Sequence, residues 1–365
     1  MTSRTLLLAA CAAAILWAGP QRKKNKEEET QTLQLPKELP AAVVGDTRRL
    51  TFHVTPLSAR GLLSQQVRDA LKAIAHESGG ETVLHIRAFV AGSGDLRRVR
   101  DLVSEAFTER KQPLPSMSLI QSGGLPLDGA QVVLEYTAAA RKDLHPQGIV
   151  YLSAQSAVSE GPTDPVAPLT SKALAGLRRS VKAAGLEPVD ILRVSCFFSS
   201  LDNLAASRSQ VAAEYPKASL NFVQTERAPS RALAACEAVA SLRTKIANPV
   251  QFVPPEGSGG ESLAALIAAP RVVLTGSQVS FGYEEKDARL AFERLQRGLE
   301  QAGARTADIA FAHYYPLSGG IAAQVRKIRA EFFDPARPPA GTMLLFESLP
   351  SMDAGFAVDV IAAKQ

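Results

Sequence analysis

The sequence predicts an α+β fold of three tandem units, each laying two helices on one face of a small sheet. Three observations carry that prediction. Amphipathic stretches recur in pairs, and the first of each pair closes on glycine, at Gly79, Gly185 and Gly303. An apolar strand follows each of these helices. Each unit then ends on a proline turn and a last apolar strand, giving the order β-β-α-β-α-β-β three times, with a period of roughly a hundred residues.

In the first unit, Gln65 to Ser78 places Val67, Ala70, Leu71, Ile74 and Ala75 on one helical face. The strand Thr82 to Val90 follows. A second helix after Asp95 buries Leu96, Val99, Leu102, Val103 and Phe107; Met117 to Ile120, the turn Leu125-Pro126 and the strand Ala130 to Tyr136 close the unit. The second unit repeats this with a helix from Thr170 to Gly185, the strand Ile191 to Phe198, a helix from Asp202 to Tyr215, the strand Ser219 to Val223 and the strand Ala232 to Val239. The third has a helix from Glu285 to Gly303, the strand Ile309 to Tyr315, a helix from Gly320 to Phe333, and the strands Thr342 to Phe346 and Phe356 to Ala362. An opening hairpin is expected at Gly148 to Val158 and at Arg271 to Phe281, and is eroded in the first unit, where Leu50 to Val54 runs almost directly into the helix. The expected boundaries are 46–140, 144–245 and 268–365. The linker 246–267 contains the flexible run Pro254-Pro255-Glu256-Gly257-Ser258-Gly259-Gly260.

Composition narrows the function. Hydrophobic residues at 46% and charged residues at 21% exclude wholesale disorder. Aromatic residues make up 6%, too few for a stacking platform for single-stranded nucleic acid or sugars. The 41 cations against 36 anions are scattered, so the net +5 does not call for nucleic acid. Three cysteines without a CxxC pair build no disulfide framework, and Cys196 and Cys236, lying in apolar strands, read as inert small hydrophobes. The five histidines lack HxH or HExxH spacing, so no metal is expected, and no GxSxG elbow or GK[ST] loop is present.

The N-terminus reads as a targeting segment. Arg4 precedes an apolar run from Leu6 to Trp17, too short for a membrane-spanning helix and suited to a signal peptide over 1–19. Leu8-Ala9-Ala10-Cys11 also fits a lipid attachment at Cys11, and the cluster Arg22-Lys23-Lys24-Lys26 leaves an uncleaved anchor open, because positive charge resists export. Residues 20–45 read as a disordered tether. A secreted or periplasmic address follows, with a membrane tether through the N-terminus as one form of it.

The stretch Glu187-Pro188-Val189-Asp190-Ile191 to Phe198, followed by Leu201-Asp202-Asn203, resembles the RidA/YjgF (endoribonuclease L-PSP) family, as do Ser153-Ala154-Gln155, Gly276-Ser277-Gln278 and Thr306-Ala307-Asp308-Ile309. The resemblance covers nearly all of residues 46–365 in three copies, strongest in the second. It implies a chorismate-mutase-like fold, with the three units forming an intramolecular pseudo-trimer around a central β-barrel and a monomeric chain. It also implies clefts between units that take a small molecule, and cofactor-free hydrolysis of imines and enamines of the 2-aminoacrylate type.

The family's carboxylate-gripping arginine is missing. Its place falls on Met117, on Ala218 or Leu220, and on Gly341, while Arg337 lies four residues early in a loop. The family's acid on the last strand is matched by Glu135, Glu237 and Asp359, the candidate catalytic residues; an acid in an apolar strand is costly unless paired. Arg100 and Arg208 occupy the place of a family asparagine, with Val325 in the third unit. They are the candidate substrate-binding cations, together with Ser153, Gln155, Gly276, Ser277 and Gln278. Two functions stay open: an imine/enamine deaminase, or a degenerate, non-enzymatic relative that binds a small metabolite or a protein partner in its inter-domain clefts.

Overall fold

A computed structural model describes residues 35–92, 94–255 and 260–365. The expected targeting segment and most of the expected tether lie outside the described residues. In chain order the strands and helices are β1 (Ala42–Asp46), β2 (Leu50–Val54), α1 (Leu63–Glu77), β3 (Thr82–Ala91), α2 (Leu96–Glu109), β4 (Ser116–Ser122), β5 (Val132–Ala139) and β6 (Ile149–Ser159). They continue with α3 (Val166–Ala183), β7 (Ile191–Phe198), α4 (Leu204–Glu214), β8 (Ser219–Gln224), β9 (Ala232–Ser241), β10 (Val250–Val253) and β11 (Ala264–Ile267). The last are β12 (Arg271–Thr275), β13 (Gln278–Phe281), α5 (Glu285–Gln301), β14 (Ile309–Pro316), α6 (Gly319–Ile328), β15 (Ala340–Met343) and β16 (Ala354–Lys364).

Three sheets share one plan. Their strand orders contain β2-β5-β3-β4, β6-β9-β7-β8 and β12-β16-β14-β15. In each, the last pair is parallel and the rest antiparallel. A crossover helix (α2, α4 or α6) joins the parallel strands, as that connection requires. Each sheet buries one face beneath its two helices, so the helical stripes read from the sequence become three separate cores around Leu71, Leu177 and Leu295.

The opposite faces of the three sheets meet. One shared apolar layer contains Leu50, Tyr151 and Phe311, one from each sheet; a second contains Phe89, Phe197 and Phe346. The rings of the second trio stand 5.7, 5.8 and 5.9 Å apart as a triangle.

Several sequence expectations change. The opening hairpins are single interrupted strands: β6 pairs with β9 along its length around a bulge, and β12 and β13 both pair with β16. The tether does not extend to residue 45, because β1 adds to the edge of the third sheet, pairing Ala42 with Thr275 through Asp46 with Arg271. The linker 246–267 likewise contains β10 and β11, which extend the second sheet beside β6. The turn just before β2 is tied to the chain after β5, with Leu144 and His145 both donating to the Arg48 carbonyl. Cys196 and Cys236 are not free hydrophobes but a disulfide, since antiparallel register sets them directly opposite on β7 and β9. Among the described residues no helix is long and apolar enough to cross a membrane.

Candidate functional site

Glu135, Glu237 and Asp359 occupy matching positions on β5, β9 and β16. Register sets Arg87, Ser195 and His313 opposite them, and beyond these lie Ser118, Asn221 and Thr342. All nine are buried between the two shared apolar layers' residues on the inner faces. Arg87 donates from Nε to Glu135 (2.8 Å) and from Nη2 to Glu237 (2.5 Å), and its guanidinium stacks over Phe89 and Phe197. His313 meets Asp359 through Nδ1 (2.8 Å) and Glu237 through Nε2 (3.3 Å). Ser118 and Tyr315 donate to Asp359, and Ser195 and Asn221 donate to Glu135.

This pairing sets the protonation. Burial alone would raise Glu135, but Arg87 and then Arg193 outweigh it and hold the carboxyl below its ordinary value. Burial opposes ionisation of Glu237 too, yet Arg87 and His313 hold it far down; Asp359, against the same opposition, is drawn to about 2 chiefly by His313. The two carboxylates in turn raise His313 against burial and Arg87. Burial drops His85 to about 4, leaving it neutral. The spaces beside this layer are about 20 and 10 Å³, room for roughly one water each. Carboxylates so strongly paired make poor general bases, and they have no proton to give near neutral pH.

The roomier candidate lies elsewhere. A cleft of about 800 Å³ separates α2 and β4 from β13 and α5, with Glu38 to Ala41 along one wall. Of the sequence-selected binding residues, it brings together Arg100, Gly276, Ser277 and Gln278; none of the three acids lines it. Met117, in the place of the family arginine, forms part of its wall. Gly276 passes so close to β4 that an added Cβ would stand 2.7 Å from the Met117 carbonyl oxygen. The backbone there has no donors to spare: Gly276 N–H donates to Ala41 O and Ser277 N–H to Met117 O. The backbone amides of Gly276 and Ser277, two of the candidate binding residues, are therefore not free to hold a carboxylate.

The remaining selected residues stand apart from this cleft. Ser153 is buried and stitches the second sheet to the third, donating to Ser262 O and accepting from Gly341 N. Gln155 packs against Gly176, and Arg208 is exposed on α4 with its guanidinium over Phe222. Val325 is buried in α6, and Arg337 is exposed, stacked over Phe252.

Three cleft residues escaped the sequence reading: Arg97, Phe281 and Arg294. Among the described residues the side chains of Arg97 and Arg100 form only long, solvent-exposed pairs with Asp95 and Glu38, at 3.9 and 4.0 Å, which are weak. Arg294 is half-buried under the Phe281 ring (5.5 Å) and donates to Val279 O. Burial, then Arg297, lower its pKa, and the neighbouring Glu293 offsets them only in part. In sequence it was an ordinary charge bordering the Ala291, Leu295 and Gly298 stripe of α5.

No family model matches the chain, and no curated protein matches its sequence. Solved structures of the YjgF/Rid family are similar to about a third of it. The Rid-family protein YyfB of Yersinia pestis is similar over 32% of this chain and 100% of its own, at 19% identity and a TM-score of 0.30. Rv2704 of Mycobacterium tuberculosis, a YjgF/YER057c/UK114 family member, is similar over 32% of this chain and 99% of its own, at 22% identity and a TM-score of 0.25. TdcF of E. coli, solved with serine bound, gives 32%, 99%, 18% and 0.24 for the same quantities.

Proposed function

We propose that the chain is a degenerate RidA-like protein: three tandem units arranged as an intramolecular pseudo-trimer, binding a small organic anion in the cleft between its first and third units without hydrolysing imines. One observation carries this reading. The cleft gathers Arg97, Arg100 and Arg294, while the three acids that a hydrolase would need are held as ion-paired carboxylates away from it. The Cys196–Cys236 disulfide supports an oxidising, extracytoplasmic address, in line with the targeting segment.

The test is a pair of measurements on the folded chain. 2-Aminoacrylate generated in situ is expected to decay at the buffer rate with micromolar protein, while pyruvate, as a stable anion probe, shifts the amide resonances of Ser277 and Gln278. Accelerated decay that is lost in Glu237→Gln or Asp359→Asn would establish the deaminase instead. Absence of any pyruvate-induced shift at millimolar concentration would remove the anion-binding reading.

A further inference from the structure

The cleft is wider and more apolar than a bare small acid requires. Its volume of about 800 Å³ lies in the range of roughly 300–1,000 Å³ that suits drug-sized ligands. Met117, Leu119, Val279 and Phe281 line it beside the cations. Phe281 remains 58% exposed although one ring face is held by Arg294. At this place the open ring is continuous with the apolar wall of Met117, Leu119 and Val279, so a ligand in the cleft can lie against it. Arg294 is fixed from both sides, by the ring and by its bond to Val279 O, so its guanidinium is oriented before any ligand arrives.

We infer that Arg294 and Phe281 form a two-part recognition element, selecting a carboxylate that carries an aryl or bulky alkyl group over a short-chain carboxylate. The guanidinium takes the carboxylate, and the open side of the ring with Val279 and Met117 takes the apolar group. A cation already stacked and partly stripped of water gains more from an anion than an exposed one. The apolar contact then separates ligands that share the same charge.

This inference rests on the cleft being an anion site, and the test separates the two claims. Binding of 3-phenylpropionate, propionate and neutral 3-phenylpropanol is followed by amide shifts of Ser277 and Gln278. The wild-type chain is expected to bind 3-phenylpropionate at least roughly tenfold more tightly than propionate, with 3-phenylpropanol weaker than 3-phenylpropionate by a similar factor. Phe281→Ala, at an exposed position, should erase the preference, weakening 3-phenylpropionate far more than propionate. Arg294→Gln should weaken both acids and leave the alcohol unchanged, and Arg294→Lys should restore only part of the loss. Equal affinity for the two acids, or unchanged binding in Arg294→Gln, overturns the recognition element while the anion site stands. If neither acid binds the wild-type chain, both claims fall.

Discussion

Arg87 Nη2 lies 2.5 Å from Glu237 Oε1, joining β3 of the first sheet to β9 of the second across 150 residues of sequence. The same guanidinium also holds Glu135 on its own sheet, so one side chain pairs with two buried carboxylates, with Arg193 and His313 adding positive charge beside them. Such pairing adds little over a well-packed apolar substitute, but removing one partner leaves charge without compensation. The layer therefore links the first sheet to the second through Arg87 and the second to the third through His313.

Arg87→Met should destabilise the chain by about 3–5 kcal/mol, because Glu135 and Glu237 would be left buried without their shared cation. Replacing Glu135 and Glu237 with Leu in the same chain should recover much of that loss. Urea midpoints at constant slope give both values. A loss below about 1 kcal/mol in the single variant would show that the layer is not held by Arg87.

Stability should fall on both sides of a mildly acidic window. His313 is raised in the folded chain, so its contribution is fully present below the unfolded value near 6.5 and is lost as pH rises through the folded one. Asp359, drawn to about 2, contributes above its unfolded value of about 3.9 and loses that contribution as pH falls toward 2. His85, held near 4, adds a penalty as pH drops from about 6.5 toward 4, since the unfolded chain takes up the proton first. Melting temperatures of the wild type should therefore decline on the alkaline side, and His313→Gln should flatten that limb and also shrink the Asp359 part of the acid limb, since His313 is what chiefly holds Asp359 down.

The disulfide closes a loop between residues 40 apart, which restricts the unfolded chain and stabilises the fold by about 3–4 kcal/mol in the chain-entropy view. Cys196→Ala with Cys236→Ala should lower stability by that order, and a reductant should then have no further effect on the variant. Equal midpoints for wild type and variant, both without reductant, would show that the bridge is absent in the purified protein.

Truncation through Asp46 should uncover the edge of β12. The expected results are a lower melting temperature and association that grows with concentration, read by light scattering, because an open strand edge pairs readily with another. A truncated chain that stays monomeric with unchanged melting would show that β1 is dispensable.

The repeated plan was legible because it is written in local periodicity. The α1 stripe of Val67, Ala70, Leu71 and Ile74 and the apolar runs of β3 and β7 declare themselves within a dozen residues. What was hidden depends on long-range pairing. Nothing in Ala42–Asp46 announces a partner at Arg271–Thr275, and the four-residue strands β10 and β11 flank a proline- and glycine-rich run that looked like linker. The disulfide was missed because the register that opposes Cys196 to Cys236 is set by folding rather than by spacing. The acids were found for a sound reason, since a mid-strand carboxylate needs a partner. Their partner Arg87 sat unremarked inside an apolar strand, and its reach to a second sheet turned expected cleft residues into a central ion-pair layer.

Of the described strands, the one that edges the third sheet is the first to leave the ribosome, and its partner is made only after the first two sheets. Ala42 is synthesised roughly 230 residues before Thr275, the residue it will pair with, so β1 must wait through the synthesis of two whole sheets. Closing so long a loop makes this a late step in folding. Until then its apolar Ala42-Val43-Val44 is an unpaired edge, open to any factor that handles nascent chains. A chain released early can form its first two sheets and still lacks the surface on which its leading strand comes to rest.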